Sequence, residues 1–136
     1  MPVMLEHYSM LPVNLRVNIP EIDFEHDELF YSLEGFKGDC FSESAMSRDK
    51  RDALYRLLES HFKTEERLAK VAGVHFAEHE LAHEKMLESV SQALHQIQSN
   101  NSDIYSIVRY IGYWFEMHIL HYDIVLAKKI ASSQLC

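Results

Sequence analysis

The chain has 136 residues, of which 47% are apolar, and its formal net charge is −8. This length suits one domain, and the apolar fraction is too high for a disordered chain. No cluster of Lys and Arg is dense enough to follow a phosphate backbone, which argues against nucleic acid as a partner, and no run of about 18 apolar residues is present to cross a membrane. Residues 1–15 lack the basic start and the continuous apolar stretch of a signal peptide, so we expect a cytoplasmic protein.

The N-terminal part of the chain divides into an arm and a first helix. Residues 1–19 are predicted to form an irregular arm that packs on the domain through scattered apolar side chains. Pro20 suits the first turn of a helix, and the apolar residues that follow it recur at helical spacing. These signals predict a helix over residues 20–36, with Gly35 and Gly38 as its stop signals.

Two more helices are predicted in the middle of the chain. Ser47 is a candidate N-cap for the second helix, which has apolar residues at helical spacing and ends at Gly73. The third helix is predicted to begin at about His75 or Phe76 and to run to Gln98.

A fourth helix is predicted from Asp103 to about Ser132, with Ser102 as its cap. No segment has a convincing strand pattern. Four helices with short connections predict an all-α fold, an up-down-up-down four-helix bundle over residues 20–132. With the arm, residues 1–136 are expected to form a single domain.

Seven residues suited to metal binding are spread over all four predicted helices: His26, His61, Glu65, His79, His83, His118 and Asp123. The pairs on the second and third helices are four residues apart, so their side chains point in nearly the same direction. The pair on the fourth helix is five residues apart, which requires either a local widening of the helix or a slanted reach by the carboxylate.

Each of these residues has an ordinary explanation when it is taken alone. A single histidine is more often solvated or hydrogen-bonded than a ligand, and two histidines four residues apart are common by chance. The convergence of several imidazoles and carboxylates in one core is harder to explain, because buried polar groups need a partner and a metal ion is an economical one. This set suits two adjacent iron ions, and its excess of imidazole favours the ferrous state and reversible oxygen binding over oxidation of a substrate.

Other residues of the same types are expected to lie outside the site. His121 is expected to face away from the ligands or to support them from behind, and His7, His75 and His95 to be exposed. Glu80 and His83 form an ExxH motif, but di-iron carboxylate bundles need two such motifs and two further glutamates. Glu80 is therefore expected at the surface.

Four stretches of the chain resemble the hemerythrin family, specifically the bacterial hemerythrins. They are IDFEHDEL around His26, HFKTEERL at 61–68, HELAH at 79–83 and WFEMHILHYD at 114–123. Their order and approximate spacing match over residues of about 20–130. The five-residue spacing of the last ligand pair is also the spacing of that family.

The resemblance implies a complete ligand set for a di-iron centre. One iron would take His79, His83 and His118, and the other would take His26 and His61. Glu65 and Asp123 would bridge the two ions together with an oxo or hydroxo group. By this count the iron with two histidines keeps one open position, where dioxygen would bind reversibly as a diferric peroxide.

The resemblance also implies a pocket and a role. The residues expected to line the oxygen pocket and keep water out are Leu29, Phe62, Trp114, Phe115 and Ile119; Trp114 and Ile119 come from the family, and the other three rest on helix spacing as well. The implied role is oxygen transport, storage or delivery, and not that of an enzyme.

Three other roles stay open at the level of sequence. The same domain is often joined to a signalling output domain, so the chain can be an oxygen or redox sensor within a larger protein. A di-iron oxidase or peroxidase is a second alternative, although the histidine-rich ligand set opposes it. The third is a structural bundle that holds zinc or iron, since zinc accepts the same ligands.

Overall fold

The computed structural model describes residues 11–39, 48–95 and 104–134, and these form four long helices without a strand. Helix α1 spans Pro20–Asp39, α2 spans Arg48–Ala72 and α3 spans Ala77–His95. Helix α4 covers 104–134 and consists of three parts: Ile104–His118, a π-helical turn at Ile119–Asp123, and Ile124–Gln134. The predicted all-α four-helix bundle is confirmed.

Neighbouring helices run in opposite directions. Glu21 pairs with Arg67 and Glu25 with His61, so positions that rise along α1 meet positions that fall along α2. Residues 73–76 then reverse the chain between α2 and α3. The contacts between α3 and α4 have the same opposed order: His79 with Asp123, and His83 with His118. The bundle is therefore up-down-up-down, as predicted.

Apolar side chains from all four helices fill the interior of the bundle. They include Leu33, Leu58, Val90 and Val108, each 3% exposed or less. Burial of a side chain of this size contributes about 1.5–3 kcal/mol. None of the helices in the described residues combines the length and the apolar character needed to cross a membrane.

The described part of the N-terminal arm packs on the bundle, as expected. Leu11, Leu15 and Val17 belong to the core, and Val13–Leu15 form a short 3-10 turn. The carboxylate of Asp23 accepts hydrogen bonds from the backbone N–H groups of Val17 and Asn18, which fixes the arm to the first turn of α1. Residues 1–10 lie outside the described residues.

The predicted end of the first helix is wrong. Helix α1 continues through Gly35 and Gly38 to Asp39, three residues beyond the predicted end at residue 36. A glycine inside a helix costs only about 1 kcal/mol. Burial of Leu33 and Phe36 and an ion pair between Lys37 and Glu34 stabilise these last turns enough to offset that cost.

Gly73 ends α2 as predicted. Its φ of 71° lies in the left-handed region that favours glycine. The N–H of Gly73 donates to the carbonyl of Lys70, and the N–H of Val74 donates to the carbonyl of Ala69. These two bonds form a Schellman motif, which satisfies carbonyls at the end of the helix.

The other helix boundaries lie close to those predicted. Helix α3 begins at Ala77, one or two residues later than expected, and α4 extends to Gln134 rather than to about Ser132. The remaining predicted boundary residues lie outside the described residues: Ser47, Gln98, Ser102 and Asp103.

Two glycine substitutions are expected to change stability in opposite directions. We predict that Gly73→Ala lowers the free energy of unfolding by about 1 kcal/mol, because a side chain strains the left-handed conformation. Gly35→Ala is its matched control, because a Cβ at position 35 meets nothing within 4 Å, and it should raise stability by about 0.5–1 kcal/mol. Urea unfolding followed by circular dichroism measures both. Equal effects of the two substitutions would contradict the assigned backbone conformations.

Candidate metal centre

All seven predicted ligands meet in one buried cluster between the four helices. Helix α1 contributes one residue and each of the other helices contributes two. Their exposed fractions are 0% for His26, Glu65 and Asp123, 1% for His61 and His83, 6% for His118 and 7% for His79. So many buried polar groups in one place require partners within the site.

Local helix geometry turns each pair of side chains toward the cluster. The pairs on α2 and α3 have the four-residue spacing that places two side chains on one face of an α-helix. On α4 the five-residue interval between His118 and Asp123 coincides with the π-helical turn at Ile119–Asp123. A π turn holds one more residue than an α turn, so the predicted widening of the helix is confirmed.

Glu65 divides its two oxygens between different histidines. Its Oε1 lies 2.9 Å from Nε2 of His83 and 3.4 Å from Nε2 of His79. Its Oε2 lies 3.3 Å from Nε2 of His61 and 3.7 Å from Nε2 of His26. One carboxylate thus faces two separate groups of imidazoles.

The two oxygens of Asp123 also face different histidines. Its Oδ1 lies 2.9 Å from Nε2 of His79 and 3.2 Å from Nε2 of His118. Its Oδ2 lies 2.9 Å from Nε2 of His26. Taken together, Oε1 of Glu65 and Oδ1 of Asp123 face His79, His83 and His118, and the other two oxygens face His26 and His61.

Two overlapping groups of donor atoms result. Within each group the donor atoms lie within 4.8 Å of one another, and both groups contain Glu65 and Asp123. The three-imidazole group adds His79, His83 and His118, and the two-imidazole group adds His26 and His61. Such a buried set of His, Glu and Asp can hold a metal ion.

The spacing of the donor atoms fits metal coordination. Two ligand atoms bound at right angles to one ion, each about 2.1 Å from it, are about 3.0 Å apart. The N···O separations of 2.9–3.4 Å on the three-imidazole side are close to that value.

Several inward-facing atoms have no hydrogen-bond partner among the described residues. They are Nε2 of His26, His61 and His118, Oε2 of Glu65 and Oδ2 of Asp123. Nε2 of His26 is one of them although it lies 2.9 Å from Asp123, so the two groups are close without being aimed at each other. Leaving such a group unpaired costs about 1–3 kcal/mol, and a cation at a shared centre would remove that cost.

Two carboxylates that are not among the seven candidate ligands, those of Glu25 and Glu66, lie beside the Nδ1 atoms of His61 and His83. Nδ1 of His61 donates to Oε1 of Glu25 at 2.8 Å, and the hydroxyl of Thr64 donates to Oε2 of the same residue. Nδ1 of His83 lies 3.5 Å from Glu66. A proton on Nδ1 leaves Nε2 free to bind a metal, and a carboxylate partner makes that nitrogen a stronger ligand.

Sequence reasoning did not find these supporting residues. Glu25 is 36 residues from His61, and no spacing rule links positions so far apart. One local indication of the role of Glu25 is its position directly before His26. On a helix the side chain of Glu25 then points about 100° away from that of His26, toward a neighbouring helix.

Four of the predicted pocket residues are buried, and the rings of two of them lie against cluster histidines. The ring of Phe62 stacks on His83 with 3.8 Å between centroids, and that of Phe115 lies 5.2 Å from His26. Leu29 and Ile119 are 2% and 0% exposed. Trp114 is half-buried and lies 5.6 Å from the ring of Tyr110, so its contact with the pocket stays a prediction.

The residues expected to lie outside the ligand set do so wherever they are described. His75, His95 and His121 are exposed, and so is Glu80. His7 lies outside the described residues. Because Glu80 is exposed, it is not part of a carboxylate-rich ligand set like that of the di-iron carboxylate bundles.

The histidines keep both carboxylates ionised in spite of their burial. Burial raises the pKa of Glu65, but the charge of His61 and the close approach of the His26 and His61 imidazoles hold it well below its ordinary value. Burial and the charge of Glu65 raise the pKa of Asp123, but contacts with His118 and His26 lower it by more. The pKa of Asp123 therefore lies below its ordinary value.

The carboxylates in turn favour the protonated forms of His61 and His79 in the metal-free protein. Burial lowers the pKa of His61, but the charge of Glu65 and the hydrogen bond with Glu25 raise it more, to about 10. The pKa of His79 is also lowered by burial and raised more by its two carboxylate neighbours, to about 9. A metal ion that binds to these nitrogens must displace protons, so its affinity rises with pH.

Comparisons with protein-family models, with curated proteins and with solved structures gave no match. The case for a metal site therefore rests on the arrangement of the seven side chains.

Removal of either shared carboxylate is expected to prevent the chain from holding two ions. Glu65→Ala and Asp123→Ala each take an oxygen donor from both groups, so we predict fewer than two metal ions per chain after gel filtration. Glu80→Ala is the matched control, because Glu80 is exposed, and it should keep the wild-type metal content. Two ions per chain in either carboxylate variant, measured by elemental analysis, would contradict the bridging assignment.

The metal-free protein is expected to lose stability as the pH rises. The folded pKa values of His79 and His61, about 9 and 10, lie above the unfolded value of 6.5. Their contribution is therefore fully present below about pH 6.5 and is lost as the pH rises through the folded values. Urea unfolding of chelator-treated protein at about pH 6.5 and about pH 9.5 tests this, with metal-loaded protein as the control that should not weaken in the same way. Equal stability of the metal-free protein at both pH values would contradict the assigned contacts.

Proposed function

We propose that this protein is a hemerythrin-like, non-heme di-iron protein that binds dioxygen reversibly, for oxygen transport, storage or delivery. The observation that carries the proposal is the division of the oxygens of Glu65 and Asp123 between a three-imidazole group and a two-imidazole group. Carboxylates that face two ways are suited to bridge two ions. His79, His83 and His118 would hold one ion, and His26 and His61 would hold the other.

The donor chemistry supports iron in its ferrous state. Five neutral imidazoles and two carboxylates would surround two ions. A site rich in imidazole favours ferrous iron more than a site rich in carboxylate does. A pair of ferrous ions supplies the two electrons that reversible binding of dioxygen requires.

The unequal groups support binding of dioxygen on one side of the site. The two-imidazole group has one protein donor fewer than the three-imidazole group, so an external ligand is expected beside His26 and His61. Phe115 lies against both of these histidines, with centroid distances of 5.2 Å and 6.0 Å. Ile119 and Leu29 add fully buried apolar surface to the bundle core.

The apolar surroundings favour release of bound oxygen as dioxygen over its release as a protonated, reduced product. The two-imidazole side is lined by aromatic rings, and its two carboxylates are held ionised by the histidines. These carboxylates are acceptors and not acids, so they do not supply the protons that would convert dioxygen into a reduced product. A binding protein fits this arrangement better than an oxidase.

The absorption spectrum of the anaerobically reduced, iron-loaded protein tests the proposal. We predict that a visible charge-transfer band develops when oxygen is added and disappears when oxygen is purged. The zinc-loaded protein is the control and should show no band, because zinc has no redox chemistry. Immediate conversion to a stable ferric species would contradict reversible binding and would favour a redox sensor or an oxidase.

A further inference from the structure

The metal cluster is closest to solvent on its three-imidazole side. His79 and His118 are 7% and 6% exposed, whereas the other five ligand residues are 1% exposed or less. His26 and His61, which form the opposite side, are covered by the ring of Phe115. A path between water and the cluster is therefore shortest at His79 and His118.

A cavity of about 160 Å³ lies at this point, between the start of α3 and the π-helical turn of α4. His79 forms part of its wall. Three other side chains of its wall carry metal-binding atoms: His75, Glu78 and His121. All three are exposed, so their donor atoms can reach an ion in water before it reaches the buried cluster.

Tyr122 contacts both this cavity and the cluster. It lines the cavity, and its ring lies 5.4 Å from that of His79 and 5.1 Å from that of His118, nearly parallel to the latter. His79 already lines the cavity and His118 does not, so movement of the half-buried Tyr122 side chain would open a path from the cavity to His118.

We propose that this cavity is the route by which divalent metal ions enter and leave the site. His75, Glu78 and His121 capture the hydrated ion and exchange its water for protein donors, His79 receives it at the cavity wall, and Tyr122 acts as a gate over His118. An ion gains from such stepwise exchange because loss of its whole hydration shell at once is costly. Lys129 also lines the cavity, and its long side chain allows the ammonium group to stay in solvent while an ion passes.

This inference rests on the metal site of the proposed function, and the experiment separates the two. Stopped-flow visible absorption follows the uptake of Co²⁺ by metal-free protein, and elemental analysis gives the final metal content. We predict that the double variant His75→Ala, His121→Ala takes up Co²⁺ at least about tenfold more slowly than the wild type, with the same final content and spectrum. His95→Ala is the matched control, since His95 is exposed at the far end of α3, and it should not change the rate.

The gate has an independent test. Tyr122→Ala is expected to speed both uptake of Co²⁺ and its removal by a chelator, whereas Tyr122→Phe keeps the ring and should behave like the wild type. Tyr113→Ala, which removes a ring that is 60% exposed elsewhere on α4, is the control. Normal uptake rates in the double histidine variant and in Tyr122→Ala would overturn the entry route. Failure of the wild-type protein to bind Co²⁺ or Fe²⁺ at all would overturn the metal site itself.

Discussion

The burial of charge is the constraint on which the rest of this structure depends. Glu65 and Asp123 are completely buried, and five imidazoles converge on their four oxygens. Carboxylates are costly to bury unless positive charge is close, so this cluster is stable only when protons or metal ions accompany it. In the metal-free protein the protons on His61 and His79 have that role. In the proposed function two metal ions would replace these protons, and this exchange would couple metal binding to pH and to folding.

The fold holds these donors on helices, and much of its apolar core lies away from them along the bundle. Each ligand is part of a helix, and the π-helical turn brings Asp123 into line with His118 without ending α4. Toward the other end of the bundle the interior is apolar, with Leu54, Val90 and Val108 buried across three helices. These apolar residues are not part of the metal cluster, and their burial contributes to the stability of the bundle. Burial of the apolar core can therefore offset the cost of leaving donor atoms of the site unpaired in the metal-free protein. Helices also hold those atoms in place more precisely than loops would.

Local rules predicted the parts of this structure that depend on local spacing. Helical periodicity gave four helices. The two i, i+4 pairs and the five-residue interval on α4 gave six of the seven cluster residues, with a widened turn as one of two possible geometries on α4. His26 belongs to no pair, and its assignment depended on the resemblance to hemerythrins. The misplaced end of α1 arose because burial of Phe36 outweighs the weak helix propensity of two glycines. Glu25 and the cavity at His75 and His121 were missed because they depend on which helix faces which, and contacts between positions 36 or 46 residues apart leave no periodic signal.

Magnetic spectroscopy of the iron-loaded, oxidised protein tests the central claim most directly, namely that Glu65 and Asp123 join two ions in one centre. Two ferric ions that share bridging ligands couple antiferromagnetically. The account predicts that the protein holds two irons per chain, gives no EPR signal from the bulk of its iron, and has a Mössbauer spectrum of a diamagnetic ground state at low temperature. An EPR signal of isolated high-spin ferric ions that accounts for all the iron would contradict it.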